Sequence, residues 1–424
     1  MMHGDEQDYL KLIADIAHDV HKNKDFLHLT PNENILSQTA RNIYNTQLSD
    51  RYYFGESSNG RNVDLYGFTA LGYSGIDRLI QEAKNVFKKR LSACQVNISP
   101  LSGIHAMICA IVGATKPGDN VLTLGRHLGG HYATDHVLKM LGRNPINVPA
   151  SKTKSKSVDA ESLTRLIKRT PVRAIYIDPA YIIDAIDVSL LRDIMGDEVV
   201  IIYDASHTLG LILGGACENP LTNGADIICA NTHKTFPGPH KGIILYGDKK
   251  VSLAQESDAL LNKGLYSSVH THSTVALAIT ALEMDLYGAD YSNMVIENAN
   301  GLGEHLAAYG IVPAMAINGR YTNTHQIHVP IDKYGKSYTD LYDRFYESQL
   351  AVAFDVDSCG CRFIRLGLQE VTRRGIDSSG LKLLAYTISQ ILTDYQPEAC
   401  GKNISSIKQS LGGEIKYSFD KGVA

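Results

Sequence analysis

The sequence predicts an α/β protein with a large domain on a mostly parallel β-sheet and a small C-terminal α+β domain. In the middle of the chain, short apolar runs alternate with segments of helical periodicity. This alternation is typical of a parallel sheet covered by helices on both faces. A second, smaller set of helices and strands follows from about residue 293. The predicted division is 1–54 for an N-terminal helix and arm, 55–290 for the large domain and 291–424 for the small domain.

The first part of the chain predicts a helix followed by an arm. Residues 5–22 carry apolar side chains at helical spacing. The polar, turn-rich stretch from His28 to Tyr73 is too long for a simple connection, so we expect a binding loop or a subunit-contact arm. Helical periodicity returns from Ile76 to Leu91.

The remaining elements follow from the period of the apolar residues. Strands of the large domain are expected at Asn120–Leu124, Arg173–Ile177, Val199–Tyr203, Asp226–Cys229 and Gly242–Tyr246. Helices are expected at Ser102–Ala114, at Ala160–Ile167 and over most of Leu253–Leu286. In the small domain we expect strands near His325–Val329 and Phe363–Leu368 and a helix at Ser379–Leu392. Ligands of open α/β sheets bind beyond the carboxyl ends of the strands, so the residues after each run are site candidates.

Composition and charge argue against several classes of protein. The 424 residues are 44% hydrophobic with a formal net charge of −4, so we expect no nucleic-acid or anionic-lipid partner. No run of about 18 apolar residues is present, and we expect no membrane span. The first residues are acidic and polar, unlike a signal peptide. The seven cysteines favour reduced thiols in a cytoplasmic protein, and Cys359-Gly360-Cys361 alone is a weak metal signal.

An acid and a lysine follow two neighbouring predicted strands. Asp204 comes directly after the strand ending at Tyr203, and Lys234 follows the strand at Asp226–Cys229. Together they can face one crevice. Pyridoxal phosphate (PLP) requires such a pair, because a lysine amine forms a Schiff base with it and an acid keeps its ring nitrogen protonated. The alternative is a surface lysine with an N-capping aspartate, and the surrounding Asp-x-x-His and Thr-His-Lys patterns favour the cofactor.

These motifs resemble those of serine hydroxymethyltransferase and its relatives, in the same order along most of the chain. The matching segments are Leu29–Asn34, Ser102-Gly103, Gly129–His131, Asp204–Leu211, Thr232–Thr235 with Gly238-Pro239, and Arg365–Gly367 with Val371–Gly375. The resemblance implies a PLP-dependent enzyme of fold type I, like aspartate aminotransferase.

The resemblance also implies roles for individual residues. Catalytic roles fall to Lys234, His131 and Asp204, with the imidazole of His131 stacked on the cofactor ring. Cofactor binding falls to Tyr52, Ser102, Gly103, His131, Asp204, His207, Asn231, His233 and Lys234. Amides at the helix start after Ser102-Gly103 can hold a phosphate, although Ser102 can also be a plain N-cap. We expect His207 to hydrogen-bond near the cofactor and orient Asp204; a buried core histidine is the alternative.

Substrate binding is expected at Asn32, Tyr52 and Arg365. The planar fork of Arg365 suits a substrate carboxylate, with a structural ion pair as the alternative. Tyr52 falls where the family has a tyrosine that reaches the cofactor phosphate of the neighbouring subunit, which implies a homodimer with shared active sites. His127 and His131 are four residues apart, but no carboxylate motif accompanies them, so we expect no metal site.

Several positions depart from the folate-dependent enzymes. Phe54 stands where they carry a proton-handling glutamate, and a phenyl ring cannot transfer a proton. Glu56, two residues on, is a possible substitute. Asn32, Asn231 and His240 replace a serine, a threonine and an arginine. Within this side branch, Thr324–His328 and Tyr417–Asp420 resemble segments of the L-threonine transaldolases.

We therefore expect an aldol and retro-aldol enzyme acting on β-hydroxy-α-amino acids. In the favoured hypothesis, L-threonine is cleaved between Cα and Cβ, and the resulting glycyl quinonoid adds to an acceptor aldehyde, in a natural-product pathway such as antibiotic biosynthesis. Two alternatives stay open. One is folate-dependent serine hydroxymethyl transfer; the other is β-elimination or decarboxylation of an amino acid, because a sequence does not show which Cα bond is aligned for cleavage.

Overall fold

The computed structural model describes residues 6–54, 61–63, 69–151, 157–248, 251–266, 268–316, 318–335 and 337–422. Its helices are α1 (Glu6–Asn23), α2 (Gln38–Tyr44), α3 (Ser74–Leu91), α4 (Gly103–Ala114), α5 (Thr134–Met140), α6 (Ala160–Arg169), α7 (Val188–Met195), α8 (Leu209–Leu213), α9 (Val251–Gly264), α10 (Thr271–Ala308), α11 (Tyr338–Glu347), α12 (Gln369–Arg373), α13 (Ser378–Leu392) and α14 (Pro397–Leu411). Its strands are β1 (Leu27–His28), β2 (Arg61–Val63), β3 (Thr69–Leu71), β4 (Ala93–Asn97), β5 (Asn120–Thr123), β6 (Asn144–Asn147), β7 (Ala174–Ile177), β8 (Val200–Asp204), β9 (Ile227–Asn231), β10 (Gly242–Gly247), β11 (Gln326–Pro330), β12 (Leu350–Ala351), β13 (Ala353–Val356) and β14 (Arg362–Gly367).

A seven-stranded sheet in the order β4-β10-β9-β8-β7-β5-β6 forms the centre of the large domain. Strands β6, β5, β7, β8 and β9 are parallel, whereas β10 runs antiparallel to both of its neighbours. Every residue of β7, β9 and β10 is buried, as expected for strands covered on both faces. The mostly parallel α/β fold is thereby confirmed.

The C-terminal part of the chain builds a smaller α+β layer. Strands β11, β14 and β13 form an antiparallel sheet in that order, and α13 and α14 contribute apolar side chains to the same core. Strand β1, from the start of the chain, pairs in parallel with β12 through Leu27 and Leu350. Leu27 and Leu29 are therefore part of the C-terminal core.

Helix α10 connects the two cores over 38 residues. Leu277 and Tyr291 pack in the core under the large sheet, and Leu302 and Leu306 pack in the small one. The proposed boundary at residue 290 falls inside this helix, and the division into 1–54, 55–290 and 291–424 stays a prediction.

The stretch from His28 to Tyr73 contains more regular structure than expected. It includes α2, a short 3-10 helix at Gln47–Asp50 and the β2–β3 hairpin. The late residue Asp420 caps the start of α2: its Oδ2 accepts from the Gln38 amide at 2.8 Å and its Oδ1 from the Thr39 amide at 2.9 Å. Asp420 thus stabilises the start of α2 within the stretch from His28 to Tyr73.

The first helix, α1, carries apolar side chains that the rest of the described chain leaves exposed. Leu10, Leu12, Ile13, Ile16 and Val20 are all more than half exposed. Across the described ranges, none of the helices combines the length and the apolar character that crossing a membrane requires.

Candidate active site

The expected cofactor residues converge at the carboxyl ends of β7, β8 and β9. One pocket at this edge is lined by Gly103, Ile104, Met107, His131, Thr134, Asp178, Pro179, Ala180, Asp204, Ser206, His207, Asn231 and Lys234. Six of the nine expected cofactor residues are in this set. Their convergence follows from parallel strands, whose carboxyl ends meet at the same edge of the sheet.

Lys234 lies in the loop that follows β9. Its Nζ is 3.1 Å from Nε2 of His207, and its carbonyl oxygen accepts from Asn34 Nδ2 at 2.6 Å. Burial lowers the pKa of Lys234 to about 8; Asp204 opposes this effect and Arg365 adds to it. A lowered pKa increases the fraction of neutral amine, which is the nucleophilic form.

Asp204 ends β8 and is oriented by two donors. Its Oδ2 accepts from the Tyr176 hydroxyl at 2.7 Å, and its Oδ1 accepts from the Ser206 amide at 2.9 Å. Tyr176, on β7, is fully buried and also contacts Cys229 Sγ at 3.2 Å. The sequence interpretation missed Tyr176 because it lies inside an apolar run and resembles a core residue.

His207 lines the pocket, but its hydrogen bonds go to residues other than Asp204. The hydrogen bonds that orient Asp204 come from Tyr176 and Ser206, whereas His207 bonds Lys234 through Nε2 and Gln326 through Nδ1, at 3.1 Å each. Burial, the largest cause, and the neighbouring Lys234 hold the pKa of His207 well below its usual range. His207 is therefore a neutral imidazole directed at the lysine rather than at the aspartate.

Helix α4 begins at the floor of the pocket. Ser102 is its N-cap, with its hydroxyl accepting from the His105 amide at 3.2 Å, which is the N-cap geometry named as the alternative role. A Cβ on Gly103 would lie 2.8 Å from Cβ of Asn231, so only glycine lets the helix start approach the end of β9. Asn231 Oδ1 is buried without a hydrogen-bond partner among the described residues.

These features fit PLP. A buried amine, a carboxylate at a strand end, and a helix N-terminus at the floor of the same pocket supply an attachment point, a partner for a ring nitrogen and amides for a phosphate. The unpaired Asn231 Oδ1 adds a polar atom that a ligand can satisfy. Within the described residues, no three His, Cys, Asp or Glu side chains are grouped to hold a metal ion.

A buried acid that the sequence interpretation missed supports His131. Asp178 Oδ2 accepts from the His131 amide at 3.0 Å and from the Thr134 hydroxyl, while its Oδ1 has no hydrogen-bond partner in the described part of the chain. Burial raises the pKa of Asp178 well above its usual range, and Asp204 raises it further. Asp178 directly follows β7, so the strand-end rule that found Asp204 could have found it too.

Arg365, on β14, is held by a nearby acid. Its Nη2 lies 3.3 Å from Asp355 Oδ2, its guanidinium carbon lies 4.7 Å from the centre of the Tyr181 ring, and Nη1 donates to Ala180 O at 3.4 Å. The structural ion pair named as the alternative is therefore present. Arg365 Nε is buried and unpaired among the described residues, so donor capacity is left for a ligand.

The other expected residues lie outside the pocket lining. Tyr52 is 59% exposed and stacks on Phe54 with ring centres 5.4 Å apart. His233 stacks on His240 at 3.7 Å, and burial lowers its pKa to about 3. Asn32 follows Pro31, which lies against β14. Glu56 lies outside the described residues. The cofactor and substrate roles of these residues stay predictions.

Comparison with known proteins places this geometry in a family. A family model described as serine hydroxymethyltransferase matches residues 5–388. Fluorothreonine transaldolase of Streptantibioticus cattleyicolor is 35% identical over 389 residues, which cover 90% of this chain and 60% of that protein. The chain thus spans about 60% of the length of that relative. Serine hydroxymethyltransferase of Methanosphaera stadtmanae is 31% identical over 408 residues, covering 94% of this chain and 93% of the relative.

The fold has a close match among solved structures. The crystal structure of L-threonine transaldolase from Pseudomonas fluorescens in an internal aldimine state superposes with a TM-score of 0.87. It covers 99% of this chain and 95% of that one at 24% identity, and it supports the fold assignment. With the family match over most of the chain and a pocket that fits the cofactor, the protein belongs to the serine hydroxymethyltransferase family and is a PLP-dependent enzyme.

Proposed function

We propose that this enzyme makes and breaks the Cα–Cβ bond of β-hydroxy-α-amino acids and works as an L-threonine transaldolase. Threonine would lose acetaldehyde, and the remaining glycine unit would add to an acceptor aldehyde to give a new β-hydroxy amino acid. The similarity to fluorothreonine transaldolase supports this proposal. Its setting would be natural-product biosynthesis, and the enzyme would act as a cytoplasmic homodimer.

Residues in and beside the pocket would divide the tasks of that reaction. When bound, PLP supplies an electron sink for the bond that breaks at Cα. Lys234 would hold the cofactor covalently, Asp204 would pair with its ring nitrogen, and the first amides of α4 would bind its phosphate. His131 would cover one face of the ring, with its backbone fixed by Asp178. Arg365 would bind the substrate carboxylate.

The observation that carries the choice of reaction is Phe54. Serine hydroxymethyltransferases resembling this chain carry a glutamate at that position, and transfer of a hydroxymethyl group to folate depends on its proton. In the structure the Phe54 ring stacks on Tyr52 with an interplanar angle of 23°. The Phe54 ring offers no proton and provides an apolar surface suited to an aldehyde side chain.

Folate-dependent serine hydroxymethyl transfer is the second candidate. The observation that favours it is the share of each relative that the match covers. The match covers 93% of the Methanosphaera stadtmanae serine hydroxymethyltransferase but only 60% of the fluorothreonine transaldolase. The folate-dependent reaction passes the one-carbon unit of serine to folate, whereas the transaldolase reaction releases acetaldehyde and adds the glycine unit to an aldehyde, so the two activities are separable in solution.

The test is to incubate the holoenzyme with threonine and benzaldehyde, and separately with serine and tetrahydrofolate. We expect acetaldehyde and a phenyl-substituted β-hydroxy amino acid in the first mixture and no folate-stimulated glycine in the second. Phe54→Glu should raise free glycine from threonine, because a proton donor is restored near Cα. Folate-dependent glycine formation would support the second candidate. Release of carbon dioxide or of a β-substituent, without acetaldehyde, would refute both.

A further inference from the structure

A chain of buried polar side chains leads from the small domain to the cofactor lysine. His328 Nε2 lies 3.1 Å from Gln326 Oε1, Gln326 Nε2 lies 3.1 Å from His207 Nδ1, and His207 Nε2 lies 3.1 Å from Lys234 Nζ. His328, Gln326 and His207 are 3%, 0% and 6% exposed. Because these side chains are buried, their hydrogen-bond partners are protein atoms. The surrounding protein therefore determines which atom donates and which accepts in each bond.

One carbonyl sets the direction of every bond in this imidazole–amide chain, which consists of His328, Gln326 and His207. Gln326 Nε2 lies 3.2 Å from Ala180 O, and a carbonyl can only accept, so this end of the amide is the nitrogen. The same nitrogen donates to His207 Nδ1, which must carry no proton. The other amide atom is oxygen and accepts from His328 Nε2.

The remaining proton of His207 therefore sits on Nε2, since the neutral ring carries one N–H. That N–H points at Lys234 Nζ. A neutral amine has a lone pair that can accept it, whereas an ammonium group has three N–H bonds and no acceptor. The observed arrangement is compatible with the neutral amine and incompatible with the ammonium form.

Two residues of the imidazole–amide chain, Gln326 and His328, lie on one face of strand β11. Gln326 and His328 alternate along β11, so both side chains leave the same face. Thr324 precedes them at the same spacing; its hydroxyl donates to Ile182 O at 2.8 Å and accepts from the backbone N–H of Gln326 at 3.3 Å. His325, between them, instead contacts Pro31 O at 3.2 Å.

We propose that Gln326, oriented by His328, is a positioning residue that fixes the Nε2–H tautomer of His207 and so holds Lys234 as a free amine. Neither Gln326 nor His328 touches the reacting atoms in this scheme; both act through His207. The inference depends on Lys234 as the attachment residue of the proposed function, and it is independent of which amino acid or aldehyde the enzyme uses.

Other charged and titratable groups also act on Lys234. Asp204 raises the pKa of Lys234 and Arg365 lowers it. Lys234 in turn lowers the pKa of four neighbouring imidazoles, those of His131, His207, His233 and His325. A substitution at Gln326 leaves all of these in place. A shift that an uncharged substitution at Gln326 shares with Gln326→Glu can therefore be assigned to the proton of His207.

The test uses the full-length enzyme, freed of PLP with hydroxylamine and then reloaded, with Gln326→Glu as the main variant. A glutamate carboxylate accepts a hydrogen bond from an N–H at Nδ1 of His207, so the single proton of the neutral ring moves to Nδ1 and Nε2 becomes an acceptor. The neutral amine of Lys234 then loses one hydrogen bond, which raises the pKa of Lys234. We therefore expect the acid limb of the pH profile of PLP uptake to move up by about 0.5 to 1 pH unit. Nitrogen-15 NMR of labelled histidines should show the His207 proton moving from Nε2 to Nδ1.

Two further variants keep the test decisive. Gln326→Met removes the donor without adding charge and should shift uptake in the same direction. Asn298→Leu removes a buried amide that donates to Thr372 Oγ1 at 2.9 Å, far from His207 in the sequence, and should leave the pH profile unchanged. An unshifted profile in either Gln326 variant, or an equal shift in Asn298→Leu, would overturn the proposal. If Gln326→Glu does not fold, Gln326→Met decides alone.

Borohydride reduction separates this inference from the proposed function. Reduction of the wild-type holoenzyme should leave a stable PLP adduct on the peptide that contains Lys234. An adduct elsewhere refutes Lys234 as the attachment residue, whereas an adduct there with an unshifted Gln326 variant refutes only the positioning role.

Discussion

Asp178 is a buried carboxyl group beside His131 and Thr134. Burial raises its pKa well above the usual range, so the folded protein retains a proton that the unfolded chain loses above about pH 4. Stability contributed by this group therefore falls as the pH rises from that value towards the folded pKa. This loss of stability accompanies a contact with the site, because the Asp178 carboxyl accepts hydrogen bonds from the His131 amide and the Thr134 hydroxyl.

Asp178→Asn should remove that pH dependence, because the amide has the same shape and never ionises. We expect the melting temperature of the variant, relative to that of the wild type, to be higher at pH 8 than at pH 5. Melting curves recorded at both pH values check this, with PLP content measured alongside. A constant difference between the two proteins would show that Asp178 is ionised in the folded state.

Strands β13 and β14 bring Asp355 to the arginine expected to bind substrate. Asp355 Oδ2 is 3.3 Å from Arg365 Nη2, so a substrate carboxylate that binds Nη2 would compete with Asp355 for it. We expect Asp355→Asn to lower KM for the amino acid by about three- to tenfold, equivalent to about 1 kcal/mol for a partly exposed ion pair, with a smaller change in kcat. Steady-state kinetics measure both parameters.

Asp332→Asn is the matched control for that substitution. Asp332 pairs with Arg362, also on β14, at 2.6 Å, but the pair is near the surface. Its loss should leave KM unchanged. An increase in KM for Asp355→Asn would mean that the acid positions Arg365 for the substrate rather than competing with it.

Helix α8 is packed so closely on the lysine loop that one added carbon should displace it. A Cβ on Gly210 would lie 2.2 Å from Thr235 O, next to Lys234. We expect Gly210→Ala to cost about 1–3 kcal/mol and to reduce PLP content. Gly401→Ala, in α14 with nothing within 4 Å of the new carbon, should be neutral or stabilising. Wild-type melting and full PLP content in Gly210→Ala would contradict this packing argument.

Central elements could be predicted from the sequence, and edge elements could not. The runs around β7, β8, β9 and β10 are apolar because both of their faces are covered. Edge strands β4 and β6 carry polar residues and residues that are not fully buried, such as the exposed Asn144 and Asn147, and neither strand contains an apolar run. For the same reason, Asp204 and Lys234 could be found at the ends of central strands.

Contacts between distant segments were beyond a sequence pattern. Gln326 and His207 are 119 residues apart, and Asn34 and Lys234 are 200 apart. Both Gln326 and Asn34 lie in motifs that the sequence analysis singled out, but a motif does not show which atom its side chain meets. Tyr176 and Asp355 belonged to no motif, and only the folded chain brings them to Asp204 and Arg365.

At the scale of the whole molecule, the exposed Tyr52 supports the proposal of shared active sites. If Tyr52 serves the partner's cofactor, a dimer of one Lys234→Ala chain and one Tyr52→Phe chain contains one intact site. Coexpression of the two inactive variants in equal amounts should then restore about a quarter of wild-type activity, because half of the dimers are mixed. Transaldolase assays on the coexpressed protein measure this. No recovery would place Tyr52 in the site of its own subunit, and an active Tyr52→Phe protein would remove it from the site.

The pairing of β1 with β12 also governs the order in which a newly made chain can fold. Leu27 leaves the ribosome about 320 residues before its partner Leu350. At typical rates of synthesis, β1 therefore has no β12 to pair with for roughly 15–65 s. The large sheet can assemble during that interval, but Gln326, Arg365 and the anchored Asn34 segment can join it only after the strands up to β14 have been synthesised. The nascent protein should therefore acquire its cofactor late, with the lysine loop in place before the residues that govern it arrive.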